Sequence, residues 1–117
     1  MRVLICEDNA LIAMDLREMV EEAGHEAVGT ATTSDICFDR AQAMRADIVL
    51  VDLNLADGRT GPVLVKRLAG EGIPSIVVSG ELDYLPEDHG ALALLEKPVS
   101  YVSLRDTLSR HDRSAKT

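Results

Sequence analysis

The sequence predicts an α/β protein built on a doubly wound, five-stranded parallel sheet with the strand order 2-1-3-4-5. Short apolar runs rich in β-forming residues alternate with segments of helical periodicity, at intervals of roughly 10–15 residues. The run DIVLVDL at residues 47–53 is apolar on both faces, which is typical of a central strand in a parallel sheet. Because 117 residues suit one domain and no linker or repeat divides them, we expect residues 1–117 to form a single domain.

The first half of the chain contains the patterns of three strands and two helices. Residues 3–6 (VLIC) predict a buried strand, because this apolar run is too short for a helix. Residues 10–23 have helical periodicity, and residues 25–30 predict a weaker second strand. Residues 33–45 begin with hydroxyl side chains that commonly cap helices, and the strand at 47–53 follows. The apolar face of the first helix, expected to contact the sheet, consists of Ile12, Leu16, Met19, Val20 and Ala23.

The second half predicts two more strands, one regular helix before them and one after them. A Gly-Pro pair opens a helix over residues 61–70, since proline is well suited to the first helical position. Strands are expected at residues 73–78 and 91–95, and the segment 81–89 between them has a proline at its centre. The fourth helix is therefore expected to be shortened or irregular. Ser100 caps the last helix, whose apolar stripe is Tyr101, Leu104 and Leu108. The result is a flavodoxin-like three-layer α/β/α architecture.

The composition excludes several classes of function. A formal net charge of −8 argues against a direct nucleic-acid partner, because phosphate contacts need clustered Lys and Arg. No apolar run reaches the roughly 18 residues of a membrane span, and charged residues come too early for a secretory signal. We therefore expect a cytoplasmic protein with no membrane partner. Cys6 and Cys37 are interpreted as buried free thiols in preference to a disulfide or a metal site.

Chemically active side chains follow four of the predicted strands. Glu7 and Asp8 follow the first strand and Asp52 ends the third, so three carboxylates are expected to meet at the carboxyl edge of the sheet. Such a cluster repels itself unless a cation compensates it, and oxygen ligands favour Mg²⁺. Ser79 ends the fourth strand and Lys97 the fifth, where the lysine is able to pair with a carboxylate or an incoming anion.

Each of these residues also has an ordinary structural interpretation. Asp8 or Asn9 is suited to cap the first helix, Ser79 before a glycine is common in turns, and Lys97 before a proline fits a solvated loop. The functional interpretation depends on their combination, because a single edge of the predicted fold collects all of them.

Four segments carry a resemblance to a known family: VLICEDN, DIVLVDLNLADG, IVVSG and LLEKP. Together they resemble the receiver domain of two-component response regulators, of the single-domain, chemotaxis-regulator-like kind, over essentially the whole chain. The resemblance implies that Asp52 accepts a phosphoryl group from a phosphohistidine of a sensor histidine kinase or phosphotransfer protein. It also implies that Glu7, Asp8, Asp52 and the backbone carbonyl of Asn54 hold Mg²⁺, that Ser79 and Lys97 contact the phosphoryl group, and that the bond from Lys97 to Pro98 is cis.

Two departures from the family pattern concern the switch. Leu94 stands where the family usually has an aromatic residue, and the segment from Ser79 to Lys97 is shorter than in familiar receivers. We expect the signal to use a rearranged surface there. On the first helix, Leu11 lies off the apolar stripe near Asp15, and the resemblance implies that this exposed face docks the kinase.

Three hypotheses for the function follow. The preferred one is a stand-alone response regulator or phosphorelay intermediate that is not an enzyme in its own right. The first alternative is a receiver-like binding module that is never phosphorylated. The leucine at position 94 keeps this alternative open, but the complete set of site residues argues against it: Glu7, Asp8, Asp52, Ser79 and Lys97. The second is an aspartyl-phosphate hydrolase, but that class needs an acid two residues after the nucleophile, where this chain has Asn54.

Overall fold

The computed structural model describes residues 1–112, over which five strands and four α-helices alternate. The strands are β1 (Arg2–Cys6), β2 (Glu26–Ala31), β3 (Ile48–Val51), β4 (Ser75–Ser79) and β5 (Ala93–Glu96). The helices are α1 (Ala10–Glu22), α2 (Ser34–Ala43), α3 (Gly61–Gly70) and α4 (Tyr101–His111). All strand pairs are parallel and the order is β2-β1-β3-β4-β5, so the predicted topology is confirmed. Residues 113–117 of the predicted domain lie outside the described residues.

Both faces of the sheet are covered by a hydrophobic layer. Along β1 and β3, successive side chains point to opposite faces, as strand geometry requires. Leu4, Cys6 and Val49 pack into the layer beneath α2 and α3. Val3 and Ile5 pack into the opposite layer, beneath α1 and α4. Burial on both sides explains why these strands have uninterrupted apolar sequences.

Polar side chains cap three helices at their N-termini. The Asn9 side chain accepts hydrogen bonds from the backbone amides of Leu11 and Ile12, at 3.0 and 3.1 Å, so Asn9 rather than Asp8 is the cap of α1. Thr33, one of the two hydroxyl residues that were candidates, caps α2, and Ser100 caps α4 as predicted. These bonds satisfy amide groups that have no partner within the helix.

The predicted contact face of α1 is partly wrong. The fully buried residues of this helix are Ala13, Leu16 and Val20, while Ile12 and Met19 are only partly buried against the core. Leu16 and Val20 are thus buried as predicted, Ile12 and Met19 lie at the edge of the buried face, and Ala13 is a buried residue that the prediction omitted.

The connection between β4 and β5 contains a single 3₁₀ turn, Leu82–Tyr84, in place of a full helix. This confirms the prediction that the segment between these two strands forms only a short or irregular helix. With little covering structure, Leu92 and Leu94 remain 46% and 39% exposed.

Other predictions for the chain also agree with the structure, since Cys6 and Cys37 are buried free thiols. Among residues 1–112, no helix is long and apolar enough to span a membrane.

Candidate functional site

The carboxyl ends of four strands bring the predicted site residues to one edge of the sheet. Cys6 pairs with Val51 in the β1–β3 ladder, so the residues that follow, Glu7 and Asp52, lie side by side. The backbone amide of Asp52 donates to the carbonyl of Cys6 at 3.0 Å and holds this alignment. On the other side, the amide of Lys97 donates to the carbonyl of Ser79 at 3.0 Å. Residues from distant parts of the chain therefore meet where parallel sheets commonly bind ligands.

Three carboxylates cluster at this edge. One carboxylate oxygen from each of Glu7, Asp8 and Asp52 lies within 4.8 Å of the others. Glu7 and Asp52 are buried, whereas Asp8 is exposed to solvent. The ammonium of Lys97 lies between the two buried acids, with Nζ 2.6 Å from Glu7 Oε1 and 2.8 Å from Asp52 Oδ2.

Burial and charge perturb the ionisation of this group. Burial raises the pKa of Glu7, and the nearby Asp52 charge acts in the same direction, against the hydrogen bond from Lys97. For Lys97, burial favours the neutral amine, but the hydrogen bonds and charges of Asp52 and Glu7 outweigh it, so its pKa is raised. Lys97 is thus held as a cation, and the fold keeps Glu7 in surroundings that disfavour its charge.

The donor set fits a small, hard divalent cation. When all are ionised, three carboxylates and one ammonium leave two uncompensated negative charges at the edge. Carboxylate oxygens are the ligands that Mg²⁺ prefers, usually with retained water. Glu7, Asp8 and Asp52 are therefore the side chains able to hold such an ion.

Asn54 lies beside this cluster in the loop after β3. Its backbone amide donates to Asp52 Oδ1 at 3.3 Å, whereas Lys97 donates to the other carboxylate oxygen, Oδ2. Its side-chain amide donates to Glu81 Oε2 at 3.3 Å. Ser79 is buried, and its Oγ accepts a hydrogen bond from the backbone amide of Glu81 at 3.2 Å.

Glu81 and Arg59 are site neighbours that the sequence patterns did not identify. Arg59 pairs with Glu81 at 3.8 Å, so Glu81 connects the loop after β4 to the loop after β3. The position of Glu81, two residues beyond a strand end at the predicted edge, was an available signal. Arg59 had none, because its contact depends on how the loop folds.

The residues predicted on α1 separate in the structure. Asp15 lines a groove of about 300 Å³ together with Ile12, Met19 and Pro98, and Lys97 forms part of its wall. Leu11 is 75% exposed and lies outside this groove. The peptide bond between Lys97 and Pro98 is cis, as expected.

The comparisons with known proteins decide the family. Residues 3–109 match the model of the response regulator receiver domain. The chain belongs to the response regulator receiver family. The transcriptional regulatory protein PdtaR of Mycobacterium tuberculosis is 38% identical over 108 residues, which cover 88% of this chain and 52% of PdtaR. This receiver thus spans about half the length of that curated relative.

Solved structures of receivers have the same fold. The receiver domain of PhyR from Erythrobacter litoralis superposes with a TM-score of 0.82 at 33% identity, covering 94% of this chain and 88% of that one. PhyR from Brucella abortus gives a TM-score of 0.84 at 34% identity, covering 94% of this chain and 46% of that one. The topology described above is therefore that of a receiver.

Proposed function

We propose that this receiver accepts a phosphoryl group on Asp52, in an Mg²⁺-dependent transfer from a phosphohistidine of a sensor histidine kinase or phosphotransfer protein. The observation that carries the proposal is the position of the Asp52 carboxylate, 2.8 Å from Lys97 Nζ and within 4.8 Å of two further carboxylates. The role is that of a signalling domain, with no separate enzymatic activity. Residues 1–117 act as one receiver domain, in a cytoplasmic response regulator or a phosphorelay intermediate.

The chemistry requires an anionic carboxylate to attack an anionic phosphoryl group. An Asp52 oxygen forms a bond to phosphorus while the phosphorus–nitrogen bond breaks, and the electron pair returns to the imidazole. Glu7, Asp8, Asp52 and the Asn54 carbonyl would hold Mg²⁺, which would supply charge neutralisation at the site when bound. Lys97 holds the Asp52 carboxylate in place and offers its ammonium to a phosphoryl oxygen. Positioning and electrostatic stabilisation then account for the rate.

The new phosphoryl oxygens need hydrogen-bond donors, and Ser79 is suited to supply one. A hydroxyl donates one hydrogen bond while still accepting another, so Ser79 Oγ keeps its bond to the Glu81 amide as it turns toward the phosphoryl group. Glu81 then moves with it and its contacts to Asn54 and Arg59 change. In other receivers an aromatic residue usually moves together with the hydroxyl, but position 94 of this chain is leucine. The movement of Glu81 takes the place of that aromatic residue and alters the surface between β4 and β5.

The donor is expected to dock on α1. Leu11 is exposed on this helix, and Asp15 lines the groove beside Lys97 and Pro98. An apolar contact next to the phosphoryl-accepting edge suits a helical partner that must bring a histidine close to Asp52.

Mass spectrometry after incubation with acetyl phosphate and Mg²⁺ tests the proposal. We expect a long-lived adduct of about 80 Da that is absent in Asp52→Asn and without Mg²⁺. Asp47→Asn is the matched control. Asp47 immediately precedes β3, at the end of the strand away from Asp52, and its carboxylate accepts a hydrogen bond from the backbone amide of Arg2. The absence of an adduct in the wild type would favour the binding module, and rapid multiple turnover would favour a hydrolase.

A further inference from the structure

Asp57 connects the loop after β3 to the start of α2. Its carboxylate accepts hydrogen bonds from the Ser34 hydroxyl at 2.6 Å, the Ser34 backbone amide at 3.2 Å and the Thr60 hydroxyl at 2.7 Å. An Asp-Gly pair in a surface loop ordinarily signals only a turn. Here the aspartate side chain joins two segments that are 23 residues apart in sequence.

The loop held by Asp57 is closed on itself. The amide of Leu55 donates to the carbonyl of Gly58 at 2.8 Å, and the amide of Gly58 donates back to Leu55 at 2.9 Å. Gly58 has a φ of +108°, a conformation that a side chain would strain. The amide of Ala56 donates to the carbonyl of Thr32 at 2.9 Å, a second connection to the segment before α2.

This closure fixes the direction of one carbonyl. The carbonyl of Asn54 and the amide of Leu55 belong to the same peptide group, which is planar and trans, so the two point in opposite directions. Because the Leu55 amide points into the loop toward Gly58, the Asn54 carbonyl points out of it. The orientation of the Asn54 carbonyl thus depends on a loop whose position depends on Asp57.

We propose that Asp57 is a positioning residue, which holds the carbonyl of Asn54 in the direction that the metal site requires. This inference rests on the proposed function, in which that carbonyl is a ligand of Mg²⁺. The hydrogen bond from Ser34, with those from Thr60 and the backbone, lowers the pKa of Asp57 and keeps it an anion able to accept all of them. A preformed ligand avoids ordering the loop when the ion binds.

Titration of the wild type and an Asp57→Ala variant with MgCl₂, followed by the ¹H–¹⁵N signals of backbone amides, tests the inference. We expect the Kd for Mg²⁺ to rise about tenfold in Asp57→Ala, the lower limit of effects seen for outer-shell partners of metals. The Asp57→Asn variant keeps one acceptor oxygen, so its Kd for Mg²⁺ is expected to lie between those of the wild type and Asp57→Ala. With acetyl phosphate, the Mg²⁺ concentration that gives half the maximal rate is expected to rise similarly, with the maximal rate unchanged.

The matched control is Asp35→Ala. Asp35 lies in the first turn of α2, next to Ser34, but its carboxylate pairs with Arg67 on the surface at 2.9 Å. Asp35→Ala removes one negative charge close to Asp57 but none of the hydrogen bonds that hold the loop after β3. The Kd of this variant for Mg²⁺ is therefore expected to equal that of the wild type. Titrations in about 0.5 M NaCl remove most of any remaining through-space charge effect.

An unchanged Kd in folded Asp57→Ala, or an equal rise in Asp35→Ala, overturns the positioning role while leaving the proposed function intact. A wild type that neither binds Mg²⁺ nor forms the adduct overturns both. If Asp57→Ala does not fold, Ser34→Ala removes one of the bonds and is expected to raise the Kd about threefold, the equivalent of one modest hydrogen bond.

Discussion

An alanine at position 61 provides a direct test of how closely α3 approaches the phosphoryl-accepting strand. Gly61 is the first residue of α3, and its amide donates to the carbonyl of Leu53 at 3.1 Å. A Cβ atom on Gly61 would lie 2.5 Å from the carbonyl oxygen of Asp52 and 2.5 Å from the Cα of Leu53. Both atoms belong to the backbone of a buried segment, so no side chain is able to turn away.

The magnitude follows from two opposing effects. Alanine in place of glycine favours a helix by up to about 1 kcal/mol. Overpacking a tightly packed core costs about 1–3 kcal/mol, and the immobile backbone here puts Gly61→Ala at the upper end. We expect the free energy of unfolding to fall by about 2 kcal/mol, which lowers the Tm by roughly 6–12 °C for a domain of 117 residues. The same displacement moves the backbone of Asp52, so adduct formation is also expected to slow.

Urea denaturation followed by far-UV circular dichroism measures the first effect. Gly70→Ala is the matched control, because Gly70 ends the same helix and a Cβ there meets no atom within 4 Å. That variant is expected to be as stable as the wild type or slightly more stable. Equal stabilities for Gly61→Ala and Gly70→Ala would refute the close approach.

Three further predictions concern other parts of the molecule. Lys97→Met leaves the buried Glu7 and Asp52 without their ammonium, so urea denaturation in Mg²⁺-free buffer should show a loss of about 3 kcal/mol, and an unchanged midpoint would contradict this. Burial, with the amino group of Met1, lowers the pKa of His25 below 6.5 against the opposing charge of Asp112. Between that lowered pKa and about 6.5 the unfolded chain therefore binds more protons than the folded one. Stability should fall as the pH falls through this window, by at most about 1.4 kcal/mol per pH unit, and His25→Gln should remove this slope. Amides at 85–90 should exchange faster with deuterium than those of β4, whereas strong protection would indicate a helix there.

The strands were predictable because burial dominates their sequences, but their ends were not. The apolar run of the third strand continues through Leu53, which is fully buried, yet β3 ends at Val51. Beyond that point the carbonyl of Leu53 accepts from Gly61 in α3 instead of from a neighbouring strand. Apolar patterns report which residues are buried, whereas strand ends depend on which backbone group is the hydrogen-bond partner.

The site was predictable to the extent that it lies at strand ends. Glu7, Asp52 and Lys97 come together because the topology forces them to. The roles of Asp57 and Glu81 were not predictable, because each bonds to a loop or helix distant in sequence. Such contacts depend on the three-dimensional path of the loops, and no local sequence pattern predicts that path.

The two halves of the site differ in how firmly the fold holds them. The carboxylates of Glu7 and Asp52 follow β1 and β3, the strands buried on both faces, and the adjoining loop is fixed by Asp57. Ser79 is the last residue of β4, which is also buried, but Lys97 follows β5, whose residues alternate between partly buried and exposed. Both residues lie beside the β4–β5 connection, which contains one 3₁₀ turn. Fewer buried contacts mean that local rearrangement there costs less free energy. A metal site requires ligands that stay in place, whereas a switch requires donors that move. Under the proposed function, the metal ligands Glu7 and Asp52 lie on the rigid half, and the donors Ser79 and Lys97 border the adaptable β4–β5 connection.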